Sequence, residues 1–446
     1  MSTSASNQST IYQRPIELLQ NLIRFNTVNP PGNETECINY IANLLEEAGL
    51  KTTIVAKSAN RPNLITRLQG RGNVPGLLLQ GHVDVISADN QNWTHPPFAA
   101  EISDGYIWGR GALDMKGGVA MMLAALLRAR AENLVPAGDI VFAALSDEEN
   151  FSNYGAKFIV EQHPGLLAGV KYGISEFGGF SIFVGKRKFY MIQISEKQNC
   201  VVRVTFRGRG GHSSVPEQGG ALAKLGQALV SLDKKHLPAH AVPAAKIMFQ
   251  QMAAALPFPQ NVVVRLLSNP RYADKALRLM GSKRVVFEPL VHNTVTPTII
   301  NGGAKINVIP NEATIAIHAR LLPGYGPEEL RSELHQVLGK EAEIETSYYE
   351  PGPSQLDMGL FPLLSSVMKE MDPTGIPVPL LMTAITDARC FAQLGIQTYG
   401  FTPMQLPREL EFWRLTHGAN ERIPIESMKF GSEAIYKVLQ RFGERK

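Results

Sequence analysis

Three apolar segments of the sequence read as interior strands of a sheet, and each runs into ligating side chains. They are "GLLLQGHVDVIS" (76–87), "DIVFAALSDEE" (139–149) and "YGISEFGGF" (172–180). Leu77, Leu78, Leu79, Val83, Val85 and Ile86 are of the aliphatic and β-branched kinds that suit a sheet interior. His82 and Asp84 interrupt them. Two residues apart, they point to one face of an extended strand. "NLITRLQG" (63–70) adds a fourth strand, and "MKGGVAMMLAALLRARAENL" (115–134) is a helix with a glycine-rich start. Two amphipathic helices precede these, one from Pro15 and one over 35–50 closed by Gly49. Strands alternating with helices define an α/β domain.

The pattern changes near residue 195. "NCVVRVTFRGRG" (199–210) alternates as a half-exposed strand does. A helix (219–235), two strands around a Pro-Asn turn (304–324), a helix (326–341) and the strand "AEIETSYYE" (342–350) follow. This is the order of a small α+β sandwich, elaborated by the segment 245–289. From about 350 the helix–strand units resume. The expected organisation is a catalytic domain built from 1–194 and 350–446, interrupted by an inserted domain over 195–349.

Composition narrows the function. The chain has 446 residues, 44% of them apolar and 19% charged, which is ordinary for a globular protein. A net charge of +4 and no long Lys/Arg stripe argue against nucleic acid and membrane as partners. The longest apolar run, 117–127, is too short to span a bilayer, which takes about 20 residues. The N-terminus lacks the basic and apolar regions of a secretory signal. Cys37, Cys200 and Cys390 show no CxxC spacing and read as reduced thiols, so a cytoplasmic location is expected.

The chemistry lies at strand ends and tight turns. "WGRGALDMKGG" (108–118) places Asp114 in a glycine-rich loop ahead of a helix, where it serves equally as a helix cap or as a ligand. Asp147, Glu148 and Glu149 end one strand at the edge where α/β sheets put their active sites. A second short strand carries Glu176 into a Gly-Gly turn, and "THGANERIP" (416–424) supplies His417. Two imidazoles and several carboxylates form an N/O ligand set suited to Zn²⁺ and similar ions. One shared carboxylate lets two ions sit about 3.5–4 Å apart, the two-metal geometry that activates water.

The series GHVDV, GRGALDMKGG, SDEE, SE-x-GG, GGHSS, NVIPNEA and HGANE resembles the M20 metallopeptidases, from about Pro15 to the C-terminus. The resemblance implies a zinc-exopeptidase-like α/β catalytic domain with a mixed, mostly parallel sheet. It also implies an inserted α+β lid domain that dimerises, and two divalent ions, zinc first, with cobalt or manganese as alternatives. Carried onto this chain, His82 and Glu176 hold one ion, Glu149 and His417 hold the other, and Asp114 bridges both. Asp84 orients His82, and Glu148 is the general base. His212 reaches across a homodimer to stabilise the oxyanion. Asn307 and Arg320 bind the substrate, the Arg fork suiting a carboxylate. Thr386 and Arg389 in "TAITDARCF" (383–391) support the pocket, although Ala384 and Ile385 stand where the family usually has glycine. "EENFSNYG" also lacks the glycine turn usual after the acid pair.

The expected activity is hydrolysis of an N-acyl amino acid, or of a C-terminal peptide bond, in a small substrate with a free carboxylate. A catalytically silent binding protein of the same fold is one alternative. Another is a two-metal phosphoesterase, against which stands the lack of a Gly-rich loop with Lys-Ser/Thr.

Overall fold

The computed structural model describes residues 10–353 and 356–444. The polar stretch that precedes the helix expected from Pro15 lies mostly outside these residues. The described chain forms two compact units, one from residues 10–194, 357–380 and 386–444, the other from 195–356 and 381–385.

The first unit is organised by a nine-stranded mixed sheet. Its four central strands, Ile140–Leu145, Gly76–His82, Val170–Ser175 and Gln397–Gly400, lie side by side and parallel. Thr52–Ala56 and Pro62–Leu68 extend one flank antiparallel, and Arg187–Glu196 pairs antiparallel on the other. The sheet is thus mixed, with its parallel part at the centre. Every residue of Gly76–His82 and Ile140–Leu145 is buried, as expected for strands covered on both faces.

Helices supply that cover. Lys116–Ala131 packs against Gly76–His82 on one face and against the helices Pro15–Arg24 and Ile425–Arg441 beyond. Its residues 116–127 are almost all buried, which explains an apolar composition with no polar stripe. On the other face Leu78, Val141, Ala143 and Leu145 join Ala156, Ile159, Cys390 and Phe391 in one core. Because the central strands are parallel, their C-terminal ends share one edge, and His82, Ser146–Glu149 and Glu176 all leave the sheet there.

The strand expected over 76–87 stops at His82, and Val85 makes only an isolated bridge to Val28. Past His82 the ladder runs out: the amide of Val83 still donates to Leu145 O at the end of the neighbouring strand, but that of Val85 donates to Thr27 O outside the sheet. The Asp147–Ser152 turn forms without glycine. Asp147, Phe151 and Ser152 all adopt left-handed φ (71°, 70° and 58°), with Glu148–Asn150 as one 3₁₀ turn between them.

In the second unit four antiparallel strands run in the order Thr294–Gly302, Glu312–Leu321, Gln198–Arg207, Glu343–Glu350. Helices Ala221–Lys234 and Pro327–Leu338 contribute Leu225, Leu330 and Leu334 to a core shared with Val202, Val204, Ile315 and Ile317. Residues 243–290 form an excursion of short helices. Among the described residues no helix is long and apolar enough to cross a membrane.

Candidate metal centre

The C-terminal edge of the parallel strands gathers two ligand sets. His82, Asp114 and Glu176 form one, and Asp114, Glu149 and His417 the other, with the ligand atoms of each within 4.8 Å of one another. His82 Nε2 is 3.2 Å from Asp114 Oδ1 and 3.3 Å from Glu176 Oε2. His417 Nε2 is 3.2 Å from Asp114 Oδ2 and 3.1 Å from Glu149 Oε2. The two oxygens of Asp114 therefore face different imidazoles, the disposition a bridging carboxylate needs. Tetrahedral ligands about 2.0–2.1 Å from an ion stand roughly 3.3–3.4 Å from each other. The observed separations match that spacing.

The electrostatics make the same demand. Burial pushes Glu176 up to about 8 against the pull of His82. Burial and the Asp114 charge raise Glu149. Bonds to Asp114 and Glu149 lift His417 to about 10. Burial opposes a charge on His82, yet Glu176 and Asp114 hold its pKa well above the ordinary value. A buried set of acids thus draws positive charge onto the two imidazoles, and divalent cations satisfy the same requirement. The donor set fits a pair of such ions.

Local structure explains the delivery of each ligand. Glu176 leaves its strand through a turn in which a Cβ at Gly178 would come within 1.9 Å of Gly400 O. Only glycine is accommodated there. The loop of Asp114 is held by Glu421, whose carboxylate accepts from the amides of Gly111 (3.0 Å), Leu113 (2.7 Å) and Asp114 (3.1 Å). Glu421 is also paired with the buried Arg110 at 2.7 Å. Glu421 lies inside "HGANE", but sequence reasoning assigned a role only to His417 of that motif.

Asp84 acts differently from the sequence expectation. His82 Nδ1 lies 2.9 Å from the main-chain carbonyl of Asp84 and 3.6 Å from its carboxylate. The carbonyl is therefore the hydrogen-bond acceptor that sets the ring. The carboxylate instead accepts from the amides of Glu148 and Glu149, each at 3.2 Å, and from Asn29 Nδ2 at 2.8 Å. It shapes the turn that carries the acid pair. Asp147, the first of the three acids, also turns away from the ligand sets. It bonds Arg61 Nη2 at 3.0 Å and Asn29 Nδ2 at 3.0 Å, and Arg61 pairs in turn with the buried Glu34 at 2.9 Å.

Glu148 belongs to neither ligand set. Burial, then the charge of Glu176, raises it well above the ordinary carboxylate value. Thr386 and Arg389 are 1% and 3% exposed, as deeply buried as His82 and Glu176. Arg389 donates to Thr386 O at 2.6 Å and to Ser152 Oγ at 3.0 Å, and Ser152 in turn bonds Asp387. They brace the acid turn.

In the second unit His212 and Asn307 lie together at a small two-stranded antiparallel ladder between distant segments, His212 pairing with Val308 and the amide of Ser213 donating to Asn307 O at 3.1 Å. His212 is exposed, and its Nδ1 accepts from the amide of Ser214 at 3.2 Å. That bond leaves the proton on Nε2. Arg320 is elsewhere. Glu312 follows that ladder and Arg320 comes eight residues later on the same strand, roughly 27 Å further on at about 3.4 Å per residue. The structure does not bring Arg320 to Asn307 within one chain.

Residues 78–441 match the family model for peptidase family M20/M25/M40. A probable carboxypeptidase S-like protein of Dictyostelium discoideum is 30% identical over 373 residues, covering 79% of this chain and 69% of that one. The N-fatty-acyl-amino acid synthase/hydrolase of Homo sapiens is 28% identical over 385 residues, covering 83% and 75%. Among solved structures, an M20 family metallo-carboxypeptidase from Sulfolobus solfataricus superposes with a TM-score of 0.66 at 18% identity, over 96% of this chain and 98% of that one. The α/β fold with its large mixed sheet is the fold of these structures. With its paired ligand sets on the sheet edge, the chain belongs to peptidase family M20/M25/M40 and is a metallohydrolase of that family.

Proposed function

We propose that the protein is a two-metal amidohydrolase that cleaves an N-acyl amino acid or the C-terminal peptide bond of a small substrate with a free carboxylate. The observation that carries this reading is Asp114, whose two oxygens serve two ligand sets while Glu148 stands outside both. A pair of divalent ions, zinc foremost with cobalt or manganese as alternatives, supplies Lewis acidity for the scissile carbonyl and acidifies the attacking water. His82, Asp114 and Glu176 hold one ion; Asp114, Glu149 and His417 hold the other.

Glu148 takes a proton from the attacking water and returns it to the leaving amine. Burial and the charge of Glu176 raise its pKa, which favours its taking up the proton. Asp84 keeps Glu148 and Glu149 apart in their roles by fixing both amides. Arg320 receives the substrate carboxylate. His212 donates from Nε2 to the oxyanion, with Asn307 beside it. The strand length between that ladder and Arg320 supports their serving different active sites of a homodimer. An exposed edge strand with Ile299 and Ile300, beside a helix exposing Leu222 and Val230, supports a dimer face. Residues 1–194 with 350–446 then act as the catalytic part and 195–349 as the lid and dimer part. Three buried cysteines outside any disulfide suit the reducing cytoplasm proposed for it.

The relatives named above act, by their names, on N-acyl amino acids and on peptide C-termini, which supports the substrate class. A panel of N-acyl amino acids and dipeptides, assayed with Zn²⁺, Co²⁺ or Mn²⁺, tests the reading. Metal-dependent release of a free amino acid is expected. Turnover of p-nitrophenyl phosphate with none of the amides would replace it by a phosphoesterase.

A further inference from the structure

The helical excursion 243–290 of the second unit holds most of the chain's excess charge. It carries seven basic residues (Lys246, Arg265, Arg271, Lys275, Arg278, Lys283 and Arg284) and two acids (Asp274 and Glu288), so its net charge is 7 − 2 = +5 where the whole chain has +4. The remainder of the protein is close to neutral. A modest total thus conceals a concentrated basic region, the kind of field that acts on partners over a Debye length.

Within the excursion the charges share a face with exposed apolar side chains. In the helix Pro270–Leu279, residues 271, 275, 278 and 279 fall on one side at helical spacing, while Ala273, Ala276 and Leu277 are buried on the other. Arg271, Lys275 and Arg278 are exposed, and Leu279 is 70% exposed. The chain then turns through Gly281–Lys283 into the helix Arg284–Phe287, with every residue from Gly281 to Val286 exposed. Val285 and Val286 are 71% and 67% exposed beside Lys283 and Arg284. A cavity of about 500 Å³ next to this tip is lined by Lys235, Arg278 and Arg284 among others. Of the acids there, Glu288 is engaged by His236 and Arg284, and Asp274 by His292. Lys235 and Arg278 make no ion pair among the described residues.

We propose that this excursion docks the protein onto an anionic phospholipid surface. Leu279, Val285 and Val286 enter the headgroup–acyl boundary, and Arg271, Lys275, Arg278, Lys283 and Arg284 engage the phosphates. Large aliphatics ringed by cations are the sequence chemistry of an interfacial anchor. A second copy fits less well, because an isologous contact would set this basic patch against itself.

Co-sedimentation of the full-length protein with vesicles of phosphatidylcholine alone, and of phosphatidylcholine mixed with phosphatidylserine, tests the assignment. Binding is expected only to the mixed vesicles, weakening as salt rises. Each basic residue near an anionic leaflet is worth about fivefold in partitioning. Lys283→Glu with Arg284→Glu should therefore weaken binding roughly 25-fold or more. Leu279→Ser with Val286→Ser, which keeps every charge, should weaken it as well. Thermal denaturation and sedimentation velocity of both variants should match the parent, since all four side chains are exposed. Three results would overturn the proposal: no binding to the mixed vesicles, equal binding to neutral ones, or variants that change oligomeric state while binding vesicles like the parent.

Discussion

The carboxylate of Glu421 accepts the main-chain amide of Asp114 at 3.1 Å, so the residue that fixes the bridging ligand lies 307 positions along the chain from it. The same carboxylate neutralises the buried Arg110. Partners that orient a ligand in this way typically contribute 10–100-fold to metal affinity. Glu421→Gln should lower metal affinity within about that range, read by competition with a chelator. Glu421→Ala leaves Arg110 buried without its partner and should cost about 3–5 kcal/mol of stability, read by urea denaturation.

Asp84 holds two neighbours of the site through two different groups. Its carbonyl holds His82 and its carboxylate holds the amides of Glu148 and Glu149. Asp84→Asn keeps the first and disturbs the second, by placing an amide NH₂ against main-chain donors. Turnover should fall by more than tenfold while metal affinity falls less, about threefold. Metal titration beside steady-state kinetics checks this, and loss of both ions with little change in the residual rate per bound metal would refute it.

Lys197 gives a pH signature in the second unit. Burial, with Arg320 adding to it, lowers its pKa to about 7. Its ammonium donates to His292 O at 2.9 Å and Thr294 Oγ1 at 3.1 Å. In the unfolded chain lysine titrates near about 10.4. Between these values the unfolded state binds the extra proton, so stability rises with pH across that window. Below about pH 7 the penalty of the buried charge is present in full. Lys197→Met removes this dependence. Its stability relative to wild type should be most favourable near neutral pH and decline towards pH 10, as measured by urea denaturation across that range.

Much of this arrangement was legible in the sequence because the candidate ligands sit where local patterns break. His82, Asp114, Glu149, Glu176 and His417 each interrupt an apolar strand or occupy a glycine-rich turn, and parallel strands bring such interruptions to one edge. What stayed hidden depends on where pairing stops and on contacts between distant segments. The end of the strand at His82 follows from its neighbours, so the side-by-side placement of His82 and Asp84 concealed a carbonyl acceptor. Arg61 with Glu34 and Asp147, and Glu421 with Arg110, are buried pairs formed across long separations, which no local spacing announces. A total charge of +4 likewise says nothing of how the cations are grouped.

The central claim is that Glu148 moves the proton while the ligand sets on either side hold metal. Its most direct test is Glu148→Gln, with bound metal quantified in the same preparation used for turnover of an N-acyl amino acid. General acid–base groups contribute about 10²–10⁴-fold. The account predicts a fall in kcat of that order with both ions still bound. A variant that retains turnover within about tenfold of wild type, with both ions in place, would contradict it.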